Sequence, residues 1–177
     1  MKRRSTTILA LLMFQSVLAF SQKNNVDFGA LIFNLKFSSF NESGFGGKIK
    51  IINTTTGVEF IGKSPTSFNS QITIKNLPSG NYKVIDLVIK TGSGKIGYYD
   101  SSTFNQINVE EGKTSYLGMY KTKKTSQLFK LNYELLFDEN FDKEKIEKQA
   151  SKINGVDSAI DFSQKLLKSD TTYFSIK

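Results

Sequence analysis

The segment Ile72-Thr73-Ile74-Lys75-Asn76-Leu77-Pro78-Ser79-Gly80-Asn81-Tyr82-Lys83-Val84 alternates, turns and alternates again. Gln71-Ile72-Thr73-Ile74-Lys75 puts apolar and polar side chains on opposite faces, as a half-buried strand does. Pro78 presets φ and Gly80 admits positive φ, so the chain reverses between Leu77 and Asn81. Tyr82 and Val84 then share one face of a second strand. Leu77 and Tyr82 are placed to plug one end of a core, with the tyrosine hydroxyl bonding back to the turn as in a tyrosine corner.

The same pattern extends outward on both sides. Short runs of β-branched and aromatic residues, separated by Gly, Asn, Ser and Pro, predict strands near 27–37, 46–53, 69–75, 81–91, 95–100, 103–109, 114–121 and 128–137. Their spacing favours a sandwich or barrel, and no helical stretch between them supplies the crossovers of a parallel sheet. The expected fold is all-β, a single antiparallel β-sandwich of about seven or eight strands, prealbumin-like or Greek key, with a short C-terminal helical appendage. In that appendage Ile146, Ala150 and Ile153 recur at helical spacing before a stop at Asn154-Gly155. Val156, Ala159, Ile160, Ser163 and Leu167, with Leu166 beside them, trace a second amphipathic stripe and so a second short helix. Thr171 to Ile176 is either a last strand or a frayed end.

The Leu77-Pro78-Ser79-Gly80-Asn81-Tyr82-Lys83-Val84 signature resembles the turn of transthyretin-like or carboxypeptidase-regulatory-like sandwich domains, and of Cna-B-type surface modules. Gly47-Lys48-Ile49-Lys50-Ile51-Ile52-Asn53-Thr54-Thr55-Thr56-Gly57 is similar to their opening strand and hairpin. The likeness covers about residues 46–90, and up to 121 through Gly112 to Gly118. It implies a folding, docking or ligand-presenting module. Leu77, Pro78, Gly80 and Tyr82 build a turn and bring no catalytic group with them.

Composition removes whole classes of chemistry. The 177 residues include no Cys, His or Trp, so disulfides, thiolate nucleophiles, Cys-ligated zinc, Ser-His-Asp triads and imidazole metal sites have nothing to be made from. No cofactor is expected. At the N-terminus Lys2, Arg3 and Arg4 precede an apolar run from Ile8 to Phe20, 13 residues broken only by Gln15 and Ser16. A membrane span needs about 20 apolar residues, so this run suits a secretory leader. Ala19 and Ser21 occupy the −3 and −1 positions for cleavage before Gln22, the expected mature start, while Val17 and Ala19 would also permit cleavage before Phe20; the ending resembles Sec signals of Gram-negative bacteria of the Bacteroidetes type. The organisation expected is a signal peptide over 1–21, a β-sandwich domain over 22–137 and a helical extension over 138–177 packed on the same domain. The mature chain then has 156 residues, with 21 basic against 16 acidic side chains, and the excess sits on 22–137. No later run is long and apolar enough to span a membrane, and the product is expected in the periplasm or outside the cell, with a peripheral place on the outer membrane as one location open to it.

Several stretches invite a chemical reading. Gly92-Ser93-Gly94-Lys95-Ile96-Gly97 has the spacing of a dinucleotide fingerprint, but strand-like residues follow it where a helix is required, so it reads as a glycine-rich hairpin. Asp138-Glu139-Asn140-Phe141-Asp142 starts like a calcium loop, yet Lys143 and Ala150 stand where Gly and Glu are needed, and helix capping is the better reading. Glu110-Glu111-Gly112-Lys113 reads as a hairpin turn. Tyr98 and Tyr99 point to opposite faces and form a possible ligand platform, and Tyr116 and Tyr120 share parity along their strand. Lys121-Thr122-Lys123-Lys124 concentrates charge in a loop, making Lys121, Lys123 and Lys124 candidate contacts to an anionic glycan or lipid surface. For an exported chain, nucleic acid is not the expected partner. The sequence favours a non-catalytic accessory or interaction module of the bacterial envelope, partnered by an envelope component or another protein. The alternative is a carboxylate-based, His-free glycan hydrolase or a glycan-binding protein.

Overall fold

The computed structural model describes residues 28–37, 46–64, 69–91, 94–98, 101–127, 130–154, 159–169 and 171–175. The leader over 1–21, Gln22, Tyr99, Gly155 and Val156 lie outside the described residues, as do Gly92 and Ser93 of the glycine-rich stretch. The strands in chain order are β1 (Phe28–Phe37), β2 (Gly47–Asn53), β3 (Glu59–Lys63), β4 (Asn69–Pro78), β5 (Gly80–Thr91), β6 (Gly94–Tyr98), β7 (Ile107–Val109), β8 (Thr114–Gln127), β9 (Lys130–Asp138), β10 (Ile160–Asp161) and β11 (Thr171–Ser175). One α-helix, α1 (Lys143–Asn154), stands between β9 and β10 among the described residues.

The all-β class holds, but two features differ from the expected antiparallel sandwich. All eleven strands belong to one sheet, ordered β11-β9-β8-β1-β4-β3-β2-β5-β6, with β7 paired to β5 and β10 to β8. Two of its pairs, β1 with β8 and β10 with β8, are parallel. The physical reason lies in the connections. A four-residue turn, 110–113, joins β7 on the edge of β5 to β8 on the edge of β1. Those edges meet only if the sheet curls, so one sheet closes around the core where two packed sheets were expected. The turn itself is present as expected, but it crosses between distant strands and does not make a hairpin.

Alternation explains which side chains enter the core. In β2, Ile49 and Ile51 are buried and alternate with the half-buried Lys48 and Lys50. Leu31, Phe33 and Leu35 of β1, Ile72 and Ile74 of β4, and Val84, Leu87 and Ile89 of β5 point the same way. Each such side chain contributes roughly 1.5–3 kcal/mol of burial. The β4–β5 turn follows its sequence reading: Tyr82 Oη donates to the Pro78 carbonyl at 2.6 Å, and Leu77 and Tyr82 are both fully buried. Gly80 has φ +147°, a region that side chains with a Cβ avoid. Asn53 joins this end of the core to the next hairpin. Its Oδ1 accepts from the Thr55 and Thr56 amides, and the Thr54 amide donates to the Asn81 carbonyl.

Strand β8 departs from simple parity. Between Ile32/Tyr116 and Asn34/Met119 the register slips by one residue, and Gly118 there has φ +108°. This bulge sends Tyr116 to the outer face and Tyr120 to the inner one, against the expectation that they share a face. The glycine-rich stretch does form a hairpin, β5 pairing with β6 from Thr91/Gly94 to Leu87/Tyr98. β3 was missing from the expected strands, although the hairpin implied by the resemblance over Gly47 to Gly57 leads into it. Its sequence, Glu59-Phe60-Ile61-Gly62-Lys63, exposes Ile61 and buries Gly62, so hydrophobicity gives no alternating signal. Thr171–Ser175 is a strand, paired with β9.

The C-terminal region contains one helix and no second one among the described residues. Ile146 and Ala150 face inward from α1 as predicted, packing on Ile32 and Tyr116 of the outer sheet face. Beyond Ala159 the chain is extended or irregular, and consecutive Leu166 and Leu167 both enter the inner core. Hydrogen bonds to fixed partners override the helical pattern there. The Leu166 and Leu167 amides donate to Tyr120 Oη at 2.9 and 3.3 Å, while that hydroxyl donates to the Leu117 carbonyl at 3.0 Å. Asn105 Nδ2 donates to the Lys165 and Leu167 carbonyls. Gln164 completes β7: its Oε1 accepts from the Asn108 amide and its Nε2 donates to the Asn108 carbonyl, both at 2.8 Å.

These contacts rank three substitutions. Tyr120→Phe strips a buried knot and is expected to cost about 1–3 kcal/mol, whereas Tyr82→Phe removes one partly buried bond and costs about 0.5–1.5 kcal/mol. Gly80→Val forces a branched residue into a positive-φ turn and costs on the order of 1–3 kcal/mol. Urea denaturation checks the order. Tyr82→Phe losing more stability than Tyr120→Phe, or an unchanged Gly80→Val, would contradict the geometry.

Candidate functional site

On the outer face of β1 and β8 the side chains that alternate with the core are Ile32, Asn34 and Lys36 from β1, and Tyr116, Met119 and Lys121 from β8. Helix α1 covers part of this face. An aromatic group seats its ends: Tyr116 packs at 5.1 Å from Phe141 and 5.5 Å from Phe162, and these two phenylalanines stack at 6.0 Å. The start of the helix is capped by Asp142, whose Oδ1 accepts from the Lys145 amide at 3.1 Å. The Asp138 to Asp142 stretch thus begins a helix, and Asp142 serves as its cap.

Between the capped first turns of α1 and the sheet lies a cleft of about 280 Å³. Its floor is Asn34, Lys36, Gln71 and Met119 from three strands. Its wall is Asn140, Asp142, Lys145 and Gln149, from the approach to α1 and the helix itself. Asn34 Oδ1 is buried and has no hydrogen-bond partner. Tyr116 Oη and Thr122 Oγ1, on β8, share that condition. Strands covered on both faces bury polar atoms that an ordinary half-exposed strand would leave to water. For Tyr116, burial pushes the phenol pKa far up, with Tyr120 and Asp138 adding to the effect, so the hydroxyl stays protonated.

Charge around the cleft is uneven. Lys121 Nζ lies 2.8 Å from Asp138 Oδ2, and the buried Asp138 also accepts from the Asn140 amide. Burial opposes ionisation of Asp138, but the hydrogen bonds from Lys121 and Asn140, with the charges of Lys121 and Lys36, outweigh it and hold the carboxyl below the usual range. Lys123 lies 4.0 Å from Glu134. Lys36 and Lys145, both exposed, make no ion pair among the described residues.

The structure distributes the candidate residues differently from the sequence reading. The stretch from Lys121 to Lys124 is the middle of β8, paired with β9 from Leu136 to Tyr133, where a loop was expected. Alternation puts Lys121 and Lys123 on one face, while the side chain of Lys124 lies outside the described residues. Lys36, which lines the cleft, is the register partner of Lys121. Tyr98 pairs with Leu87 at the edge of the sheet, but its side chain lies outside the described residues, as does Tyr99. Leu77, Pro78, Gly80 and Tyr82 form the structural turn described above. Asn34, Lys36, Lys145 and Gln149 were not anticipated. Their only signals were the polar alternation within Ile32-Phe33-Asn34-Leu35-Lys36 and the four-residue spacing of Lys145 and Gln149, and only the fold brings the two together.

Lys121→Met would leave the buried Asp138 without its ion-pair partner and with only the more distant charge of Lys36, at a cost of about 1–3 kcal/mol near neutral pH. Because the native carboxyl is held low, the stability it adds is present above the unfolded pKa of about 3.9 and is lost as pH falls through the folded value. The gap between wild type and variant is therefore expected to shrink below about pH 4. Thermal melts over a pH series test this, and a gap independent of pH would contradict the pairing.

Comparison of the chain with protein-family models, with curated proteins and with solved structures finds no match. The chemistry of the cleft itself has to carry any assignment.

Proposed function

We propose that the chain is an exported, non-catalytic binding module of the bacterial envelope, and that the cleft beside the start of α1 is where it holds a ligand. The observation that carries this reading is the equipment of the cleft: amides and lysines surround it, and its one carboxylate, Asp142, caps a helix. Such groups hold a molecule by hydrogen bonds and charge. Four of the other described acids have structural partners, whereas Asp86 keeps a buried oxygen without one. Glu59 pairs with Lys50, Glu110 with Lys113, Asp138 with Lys121, and Asp161 binds Ser163 and Gln164. Acids so engaged support a binding role over the paired free carboxylates of a glycosidase.

Export rests on the leader-like N-terminus. The likeness of Leu77 to Val84 to transthyretin-like and carboxypeptidase-regulatory-like domains supports a presenting or docking module, and the Tyr82 bond to Pro78 fits that likeness. Among the described residues no helix is long and apolar enough to cross a membrane. Contact with an anionic envelope surface through Lys121, Lys123 and Lys124 belongs to the same proposal, although two of these lysines face carboxylates.

Expression of the full chain in a Gram-negative host tests both halves. Intact mass should place the N-terminus of the exported product at Gln22, and incubation with envelope polysaccharides should release no reducing ends. Full-length protein kept in the cytosol would sink the export half. Turnover that disappears when a carboxylate is replaced by its amide would sink the non-catalytic half.

A further inference from the structure

We infer that the cleft between α1 and the outer sheet face takes a sugar acid, meaning one hydroxylated ring that carries a carboxylate. The inference rests on the binding role proposed above and assigns its ligand class.

Three properties of the cleft set this chemistry. The first is size: about 280 Å³ falls just below the roughly 300–1,000 Å³ typical of small-molecule sites, which suits a single ring. The second is charge. Lys36 and Lys145 line the cleft from β1 and α1 without an ion-pair partner among the described residues, and outnumber its single carboxylate, Asp142, which caps α1. A ligand anion would meet two ammonium groups, each able to give a charge-assisted hydrogen bond. The third is the set of side-chain amides, Asn34, Gln71, Asn140 and Gln149, that line the cleft. Amide oxygens accept hydrogens that an ionised carboxylate cannot give, so the matching ligand brings hydroxyl groups as well as its charge. The Asn140 and Gln149 amides offer donors and acceptors together, as the mixed rim of a sugar requires. Met119 and Ile146 supply the apolar patch on which the C–H face of a ring can rest.

The sequence provides a clean probe. The chain has three methionines, Met1, Met13 and Met119, and cleavage before Gln22 leaves Met119 as the only methionine of the exported protein. Exported protein labelled at the methionine methyl gives one signal, from the floor of the cleft. We would titrate it with glucuronate, glucose, glucose 6-phosphate and acetate in separate samples. Glucuronate is expected to shift the Met119 methyl saturably, with the other three about tenfold weaker or more, since each lacks the carboxylate or the hydroxylated ring or carries its charge differently. Lys36→Gln with Lys145→Gln should weaken glucuronate about tenfold, while Lys83→Gln, an exposed lysine outside the cleft, should leave it unchanged. All three positions are exposed, so these variants are expected to melt like the wild type.

Equal shifts with acetate would reduce the cleft to a plain anion site, and equal shifts with glucose would remove the role of the lysines. Glucose 6-phosphate matching glucuronate would overturn the carboxylate assignment. Absence of any saturable shift would overturn the inference altogether. Failure of the non-catalytic reading looks different: the resonances of an added glucuronide would change into those of products while the methyl shift persisted.

Discussion

Four residues set the shape of this molecule. Along the hydrogen-bonded order, β7 and β8 are separated by β5, β2, β3, β4 and β1, six strand spacings in all. In a flat sheet that separation is about 29 Å at about 4.8 Å per spacing. Val109 and Thr114, the residues on either side of the 110–113 turn, can be at most about 18 Å apart along an extended chain. The sheet therefore has to curl until β7 stands beside β1 and β8. Local chemistry holds it there: the Ala30 amide donates to the Lys113 carbonyl, the Gly112 amide to the Phe28 carbonyl, and Ser115 Oγ to the Asn108 carbonyl. Gly29 lets the turn come this close, because a Cβ there would meet the Glu110 carbonyl oxygen at 2.5 Å and Val109 Cγ1 at 2.7 Å.

The curl has two consequences. It leaves a mouth between β7 and β8, which the C-terminal segment fills with the Gln164 side chain and with Leu166 and Leu167 hung on Tyr120. It also makes β1 and β8 the centre of the molecule, with the inner core on one side and α1 on the other. Their outward residues are then neither core nor free surface. Ile32 and Tyr116 are covered by the helix, and Asn34, Lys36 and Met119 line a cleft beside it. The candidate site is a by-product of laying a short amphipathic helix over a strand pair that the closure had already fixed.

Much of this was legible in the sequence wherever a local rule acted alone. The Pro78–Gly80 turn, the return bond of Tyr82, the alternation of β2 and β4 and the inward stripe of Ile146 and Ala150 all follow from short-range stereochemistry, and all are present. What local rules missed was set by partners distant in the chain. The second amphipathic stripe was extended by the pull of Tyr120 and Asn105, the Tyr116–Tyr120 parity was reversed by the Gly118 bulge, and the lysine run was drawn into β8 by its pairing with β9. The parallel β1–β8 pair could not be read because its two strands lie far apart in sequence. The site escaped for the same reason: Asn34 and Lys145 acquire meaning only once β1 and α1 face each other across the cleft.

If closure by the 110–113 turn is the constraint on which the fold depends, the bonds that hold the turn to β1 should break only when the whole molecule unfolds. Native-state hydrogen exchange reads this directly at the Ala30 and Gly112 amides, which donate to the Lys113 and Phe28 carbonyls. The structure predicts that both exchange with the same opening free energy as core-strand amides such as those of Ile49 and Leu87. Exchange of Ala30 and Gly112 by local opening, at the rate of an unprotected loop while the core stays protected, would show that the sheet holds its curl without the turn and would contradict the account.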